Sequence, residues 1–342
     1  MRKKNIMSFF IILFSIYSYG QTDTYTNPIL PTGADPFSFY HNGFYYYTNT
    51  MYNEIKIWKT KNLAHLSDAE SKTIFVPPKG KPFSEHLWAP EIHFIQGAWY
   101  LYFAADDGNN DNHRMYVMMN DSEDPFQGEW ELKGKIAAKP DRWAIDGNVF
   151  EHADQLYMIW SGWEGNINGQ QNIYIAKMTT PFTIDGIRVL ISEPTQVWEK
   201  QGDLKNPPHV SVNEGPQFLE HQGKIFIVFS ASHCSTDFYS LGLLELEGND
   251  PLAPHAWKKY PYPIFTKSEE NSVYAPGHNS FFKSPDGTED WILYHANGNP
   301  EEGCGQKRSP RMQKFSWNED GFPNFGIPKP AWVSIPLPSA NN

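Results

Sequence analysis

Five times along the chain a polar residue introduces an apolar run, a tight turn and a second, strongly aromatic run. The segments are Gly33–Thr48, Ala89–Ala104, Ala144–Gly162, Asn213–Ala231 and Ala275–Ala296. Each reads as strand, hairpin turn and strand. The turns fall at Asn42-Gly43, Gln96-Gly97, Ala153-Asp154, Gln222-Gly223 and Asp286-Gly287, residue types that accept the positive φ of tight hairpins. Aligned on the leading polar residue, the segments start at Asp35, Glu91, Asp146, Glu214 and His278, at spacings of 56, 55, 68 and 64 residues. Kelch and WD40 blades run about 40 to 50 residues, so units of this length suit a four-stranded blade with longer loops. Five such units, with 65 residues from His278 onward to finish the last, fill residues 21–342 as one all-β, five-bladed propeller domain. A β-sandwich gives no reason to place a polar residue at the head of every aromatic hairpin.

Composition agrees with many short strands. Phe, Trp and Tyr number 23, 12 and 18, beside 25 Gly and 27 Pro, a pairing that disfavours long helices. The formal charge of −11 argues against a phosphate-backbone partner, so nucleic acid is not expected. Cys234 and Cys304 are the two cysteines, enough for one bridge but not for a disulfide framework. At the start, Arg2, Lys3 and Lys4 precede the apolar run Ile6–Ile16, followed by Ser18 and Gly20. This is the pattern of a secretory signal peptide over residues 1–20, and the run is short of the roughly 18 apolar residues of a membrane span. The mature chain is expected in the periplasm or secreted, without a membrane span.

In a propeller the first strand of each blade lines the central axis, so equivalent positions at one end of those strands converge. Here they carry four carboxylates and a histidine. Carboxylates gathered in a partly dry pocket cannot all ionise, so one pKa rises while another stays low, and an acid and a base share one site. Hydrolysis of a glycosidic bond requires such a pair. Pro36 stiffens the entry to its strand, while Gly147 and Gly215-Pro216 leave space beside the acids. Trp88, Trp143 and Trp163 lie close to the same positions and offer faces on which sugar rings stack. The acidic run Asp106–Asp111 lacks the ligand spacing of an EF-hand and is read as a blade-connecting turn. The chain has no Walker loop, His-Glu-x-x-His or Gly-x-Ser-x-Gly, and no required cofactor is indicated.

Together, Asn27-Pro28 with Gly33-Ala34-Asp35-Pro36, Trp88-Ala89-Pro90-Glu91, Ile145-Asp146-Gly147, Asn213-Glu214-Gly215-Pro216 and Gly277-His278-Asn279-Ser280 resemble glycoside hydrolase family 43. The likeness spans nearly all of residues 21–342. It implies an inverting mechanism in which Asp35 is the general base, Glu214 the general acid and Asp146 the residue that tunes the acid's pKa. Glu91 receives no role from it. His278 is similar to a family histidine on the axis that helps order a structural calcium through water, and it also counts as a substrate contact. Arg311 resembles a family arginine that reaches the sugar, and Trp88 and Trp163 complete the expected substrate-binding set. The implied substrate is an oligo- or polysaccharide of plant or algal origin, from which a terminal β-D-xylose or α-L-arabinofuranose is released. Endo-acting arabinanase and a non-catalytic carbohydrate-binding propeller are the alternatives.

Overall fold

The computed structural model describes residues 23–202 and 211–340; the expected signal segment, 1–20, lies outside them. The described chain forms five antiparallel sheets in sequence order, with the expected propeller architecture. Blade I comprises the strands Phe37–His41, Phe44–Thr48, Ile55–Thr60 and Glu70–Phe75, and blade II comprises Glu85–Ile95, Ala98–Asp106, Arg114–Asn120 and Glu131–Ile136. Blade III has Ala144–His152, Gln155–Trp163, Gln171–Thr180 and Val189–Ser192, with the short Thr183–Ile184 also pairing on its third strand. Blade IV runs Asn213–His221, Lys224–Ala231, Ser240–Leu246 and Trp257–Lys259, and blade V runs Tyr274–Lys283, Asp290–Asn297, Ser309–Trp317 and Pro323–Asn324.

Four of the inner hairpins turn as their residues dictate. Asn42-Gly43, Gln96-Gly97, Ala153-Asp154 and Gln222-Gly223 all have positive φ at both positions, between 48° and 86°. In blade V only Gly287 does, and a longer loop is held by Asp286, whose Oδ1 accepts from Ser284 and Thr288.

The core is divided into five apolar clusters, each between two neighbouring blades. The fifth joins blade V to blade I through Tyr45, Tyr47, Leu63, Phe282, Trp291 and Leu293, and so closes the ring. Burial of each such side chain contributes about 1.5–3 kcal/mol. Closure is reinforced by the chain ends, where Thr24–Tyr25 pairs with Ile335–Pro336. Asn27 also clasps Met312, donating from Nδ2 to its carbonyl at 2.9 Å and accepting its N–H at 2.9 Å.

Near the start of every inner strand a residue at a matching position has positive φ, Asp35 (58°), Ala89 (42°), Asp146 (58°), Gly215 (55°) and His278 (45°), and His86 (50°) and Ala275 (48°) add a second in blades II and V. In blades II to V the pairing register breaks around that residue. These bulge residues, not the leading polar ones, are the equivalent positions. The sequence alignment is therefore two residues off in blade II, where Ala89 and not Glu91 stands at the bulge. It is one off in blade IV, where Gly215 does. A bulge inserts a residue and re-aims its neighbours, and polarity alone does not reveal which residue it takes.

Candidate active site

At the bulged end of the inner strands lies a cavity of about 350 Å³, with Asp35, Asp146, Glu214 and His278 in its wall. Asp35 is 8% exposed. Its Oδ2 accepts from Thr50 Oγ1 at 2.6 Å, and its Oδ1 faces His278 Nδ1 at 3.2 Å and Arg308 Nη1 at 3.4 Å. The backbone N–H of Asp35 donates to His295 Nδ1 at 3.0 Å, so that ring nitrogen acts as an acceptor. Burial pulls His295 down to about 4, in keeping with a neutral ring. Burial alone would raise Asp35, yet His278 and Arg308 outweigh it and hold the carboxyl well below the usual carboxylate range. Asp35 is an ionised carboxylate at neutral pH.

The other two acids are shifted the opposite way. Loss of water pushes Asp146 up to about 7, with the charges of Glu214 and Asp35 adding to the rise and His278 opposing it. Its Oδ2 accepts the Gly215 N–H at 3.0 Å, so the blade IV bulge binds the blade III acid. Glu214, one residue before that bulge, is half-buried and is likewise raised by loss of water, against His278 and Tyr239. Tyr239 donates to Glu214 Oε1 at 2.9 Å, which leaves Oε2 to carry a proton. Two glycines make this packing feasible. A Cβ on Gly277 would stand 2.3 Å from the Tyr239 ring, and one on Gly215 would stand 3.3 Å from His278. The cavity thus holds a carboxylate kept ionised and a pair of carboxyls whose pKa values are raised by burial. His278 is pulled upward by Asp35, Asp146 and Glu214, against its burial.

Glu91 lies two residues beyond its bulge. It is buried and bonded by Asn148 at 2.8 Å, by His93 at 3.1 Å and by Gln217. Asn148 and Gln217 stand at the same offset from their own bulges, so three blades share one polar cluster apart from the cavity wall.

Trp88 and Trp143 line the cavity. Trp88 stacks on His113 at 4.0 Å, and Trp143 donates from its indole to the Asn110 carbonyl at 2.8 Å. Trp163 does not line the cavity; it is 1% exposed and stacks behind Trp143 at 4.7 Å and 5°. Arg311 is also absent from the cavity wall, 3% exposed within the strand Ser309–Trp317. Arg308, just before that strand, reaches the cavity and Asp35 instead. The sequence reading did not single out Arg308. A cation at the loop-to-strand junction that faces the axis was the available signal. Cys234 and Cys304, enough in the sequence for one bridge, form a disulfide in the cavity wall. The Asp106–Asp111 stretch joins the second and third strands of blade II, not two blades. There Asp106 is buried between His86 and His113, each with Nδ1 at 2.9–3.0 Å.

For the expected calcium, Asn279 beside His278 is a fitting group, fully buried and with neither side-chain amide atom partnered. The neighbouring carboxylates, however, each have a protein donor or cation against them. Calcium takes six to eight oxygens. A calcium held here would take most of that shell from water around His278 and Asn279, and no step below is routed through a metal.

A five-bladed propeller whose axial cavity opposes an ionised carboxylate to carboxyls of raised pKa, between indole faces, has the parts that cleavage of a glycosidic bond requires. The chain belongs to glycosyl hydrolases family 43, whose family model matches residues 25–323. It is 38% identical over 316 residues to an extracellular exo-alpha-(1->5)-L-arabinofuranosidase of Streptomyces avermitilis, a match that covers 89% of this chain and 64% of that protein. It therefore spans less than two thirds of that relative's length. To a protein of the same description from Streptomyces chartreusis it is 34% identical, over 80% of this chain and 82% of the other. The solved α-L-arabinofuranosidase of Lactobacillus brevis superimposes with a TM-score of 0.83 at 36% identity, over 90% of this chain and 98% of that one.

Proposed function

We propose that the chain is a secreted, exo-acting α-L-arabinofuranosidase that hydrolyses its substrate with inversion. The observation that carries this reading is the divergence of protonation inside one cavity, with Asp35 ionised and Asp146 and Glu214 raised. Asp35 takes a proton from water, whose oxygen attacks the anomeric carbon. As the glycosidic C–O bond breaks, its electron pair goes to the leaving oxygen, which Glu214 protonates. Two carboxyls flanking the scissile bond, with room for a water between the base and the anomeric carbon, are the requirement of the inverting reaction. Asp146, raised in part by the charge of Glu214 beside it, shares with Glu214 the proton that the pair retains. Arg308 and His278 hold Asp35 ionised while remaining in the cavity wall.

The sugar follows from the relatives, named for arabinofuranose at 34–38% identity. A solved xylan beta-1,4-xylosidase from Bacillus halodurans matches at 18% identity and speaks for the fold alone. Exo action is favoured by the cavity's size, at the low end of the roughly 300–1,000 Å³ of ligand sites. Secretion rests on the signal-like residues 1–20 and on relatives named extracellular. No helix among the described residues is long and apolar enough to cross a membrane.

The test is to incubate the purified protein with aryl α-L-arabinofuranoside, aryl β-D-xyloside, linear arabino-oligosaccharides and arabinan, and to identify the sugars released. The proposal expects arabinose as the first and dominant product. Release of xylose alone, of internal oligosaccharides first, or of nothing would contradict it.

A further inference from the structure

The bridge between Cys234 and Cys304 joins two loops that hold the same place in neighbouring blades. Loop 232–239 connects the second and third strands of blade IV, and loop 298–308 connects the second and third strands of blade V. Both cysteines are half-buried and line the catalytic cavity. Each loop also sends a further side chain into that wall, His233 beside Cys234 and Arg308 four residues beyond Cys304. An exposed hydrogen bond, from the Glu301 N–H to Asp237 Oδ1 at 2.9 Å, joins the same loops. Such a bond contributes only about 0.5–1.5 kcal/mol, so the covalent bridge is the stronger tie.

From the bridge to the base the path is short. Cys304 stands between Gly303 and Gly305, whose backbones have wide conformational freedom, and Gly303 takes φ of 63°. Asn297 holds the Gly303 carbonyl at 3.0 Å, whereas the Gly305 carbonyl is turned toward Arg308, accepting from Nε at 3.4 Å and from the backbone N–H at 3.5 Å. The far side of the guanidinium then aims Nη1 at Asp35 Oδ1 and Nη2 at the Tyr52 hydroxyl, each at 3.4 Å. Charge-assisted hydrogen bonds run about 2.7–2.9 Å, so all three side-chain contacts are long and the guanidinium depends on how the backbone presents it. The Arg308 carbonyl is anchored separately by the Gly33 N–H at 2.9 Å. What the bridge adds is the aim of the side chain, not the path of the strand that follows.

We propose that the Cys234–Cys304 bridge is a positioning element of the active site, which keeps Arg308 against the Asp35 carboxylate by fixing the Gly305 carbonyl behind the guanidinium. The proposal rests on the glycosidase reading, in which Asp35 is the base. A base held out of line loses rate more than affinity, because alignment matters most as the reacting atoms meet. Its consequence is that turnover depends on the redox state of the chain. A dithiol opens the bridge in two exchanges: one thiolate attacks a cysteine sulfur, and the second then displaces it. The dithiol departs as a cyclic disulfide, oxidised by two electrons, and Cys234 and Cys304 are left as two thiols.

The test measures kcat and KM on an aryl α-L-arabinofuranoside for the unaltered protein and for Arg308→Ala, each oxidised and after dithiothreitol, with the released thiols counted and a thermal melt recorded beside each assay. In the unaltered protein, opening the bridge is expected to lower kcat about tenfold to a hundredfold while KM moves less than about twofold. Reoxidation restores the rate. In Arg308→Ala the same treatment changes kcat by less than about twofold, since the side chain through which the bridge acts is already gone. The double variant Cys234→Ser/Cys304→Ser behaves as the reduced protein and ignores dithiothreitol. An unchanged kcat on reduction, or an equal fall with and without Arg308, would overturn the proposal. A reduced protein unfolded at the assay temperature would make the bridge a brace of the fold and overturn it too. The Nε proton of Arg308, assigned by NMR of arginine-labelled protein through its loss in Arg308→Ala, gives a readout free of turnover. It is expected to shift or to exchange faster with solvent once the bridge opens, and a signal unchanged by reduction overturns the positioning role whether or not the protein hydrolyses anything. Failure of the oxidised protein on every arabinoside, by contrast, sinks the glycosidase reading itself.

Discussion

Asp35 is legible in the sequence because it heads a repeat and is followed by Pro36, but what holds it ionised is not. Its low pKa comes from His278, 243 residues away, and from Arg308, 273 residues away, at distances that only the closed ring sets. Arg311 illustrates the limit. The motif around it is readable, yet whether a strand residue faces the cavity or the core depends on where the strand begins, and Ser309 begins it one residue too late for Arg308. Trp163 has the right character for a sugar platform and is displaced by Trp143 stacked in front of it. If Asp35 is the base, Asp35→Asn lowers kcat about 10²–10⁴-fold on every substrate. Glu214→Gln is expected to lose as much on oligosaccharides but far less on aryl glycosides, whose leaving group needs no proton. Equal loss on both substrate types would contradict Glu214 as the acid. The pH profile follows from the same groups. A depressed Asp35 stays ionised until the pH falls well below the carboxylate range, so the acid limb of kcat/KM lies low. Asp146 at about 7 and the raised Glu214 lose their protons as pH rises, so activity declines on the alkaline side near pH 7. A profile flat from pH 6 to 9 would refute that reading.

The inner hairpins were readable because turn chemistry is local: Asn-Gly and Gln-Gly accept the required φ wherever they occur. The bulges were not, since Asp, Ala, Gly and His all occupy the same bulge position in different blades. Their effect on the site is direct. In blade III the bulge residue is the acid itself, whereas in blade IV the bulge is Gly215 and the acid is its neighbour, so Asp146 and Glu214 approach from different offsets and Gly215 bridges them. Gly277 belongs to the same device, because Tyr239 occupies the space where its side chain would be. Gly277→Ala is expected to cost about 1–3 kcal/mol of stability by overpacking. It should also cut kcat on oligosaccharides by displacing the hydroxyl that holds Glu214. A thermal melt beside kinetics separates the two effects, and normal kcat in a stable variant would show that Tyr239 does not position the acid.

At the scale of the whole molecule, the five-bladed propeller was legible in the repeat, but the contacts that close the ring between first and last blades were not. Closure depends on contacts such as Asn27 with Met312, 285 residues apart. Asn27→Ala removes both bonds of that clasp, taking the side-chain partner from the Met312 N–H while its carbonyl keeps the Tyr25 hydroxyl at 2.7 Å. It is expected to lower stability by about 1–3 kcal/mol with little change in kcat at low temperature, as measured by denaturant unfolding and assay of the same sample. An unchanged midpoint would place closure elsewhere in the joint. The ring matters to function because it alone brings carboxylates from blades I, III and IV, arginine and histidine from blade V, and indoles from blades II and III to one cavity. That assembly is the central claim, and the stereochemistry of a single turnover tests it most directly. Proton NMR of an aryl α-L-arabinofuranoside, recorded as hydrolysis begins, is predicted to show β-L-arabinofuranose first, with the α anomer appearing later by mutarotation. An α anomer formed first would contradict a water activated by Asp35 opposite the acid.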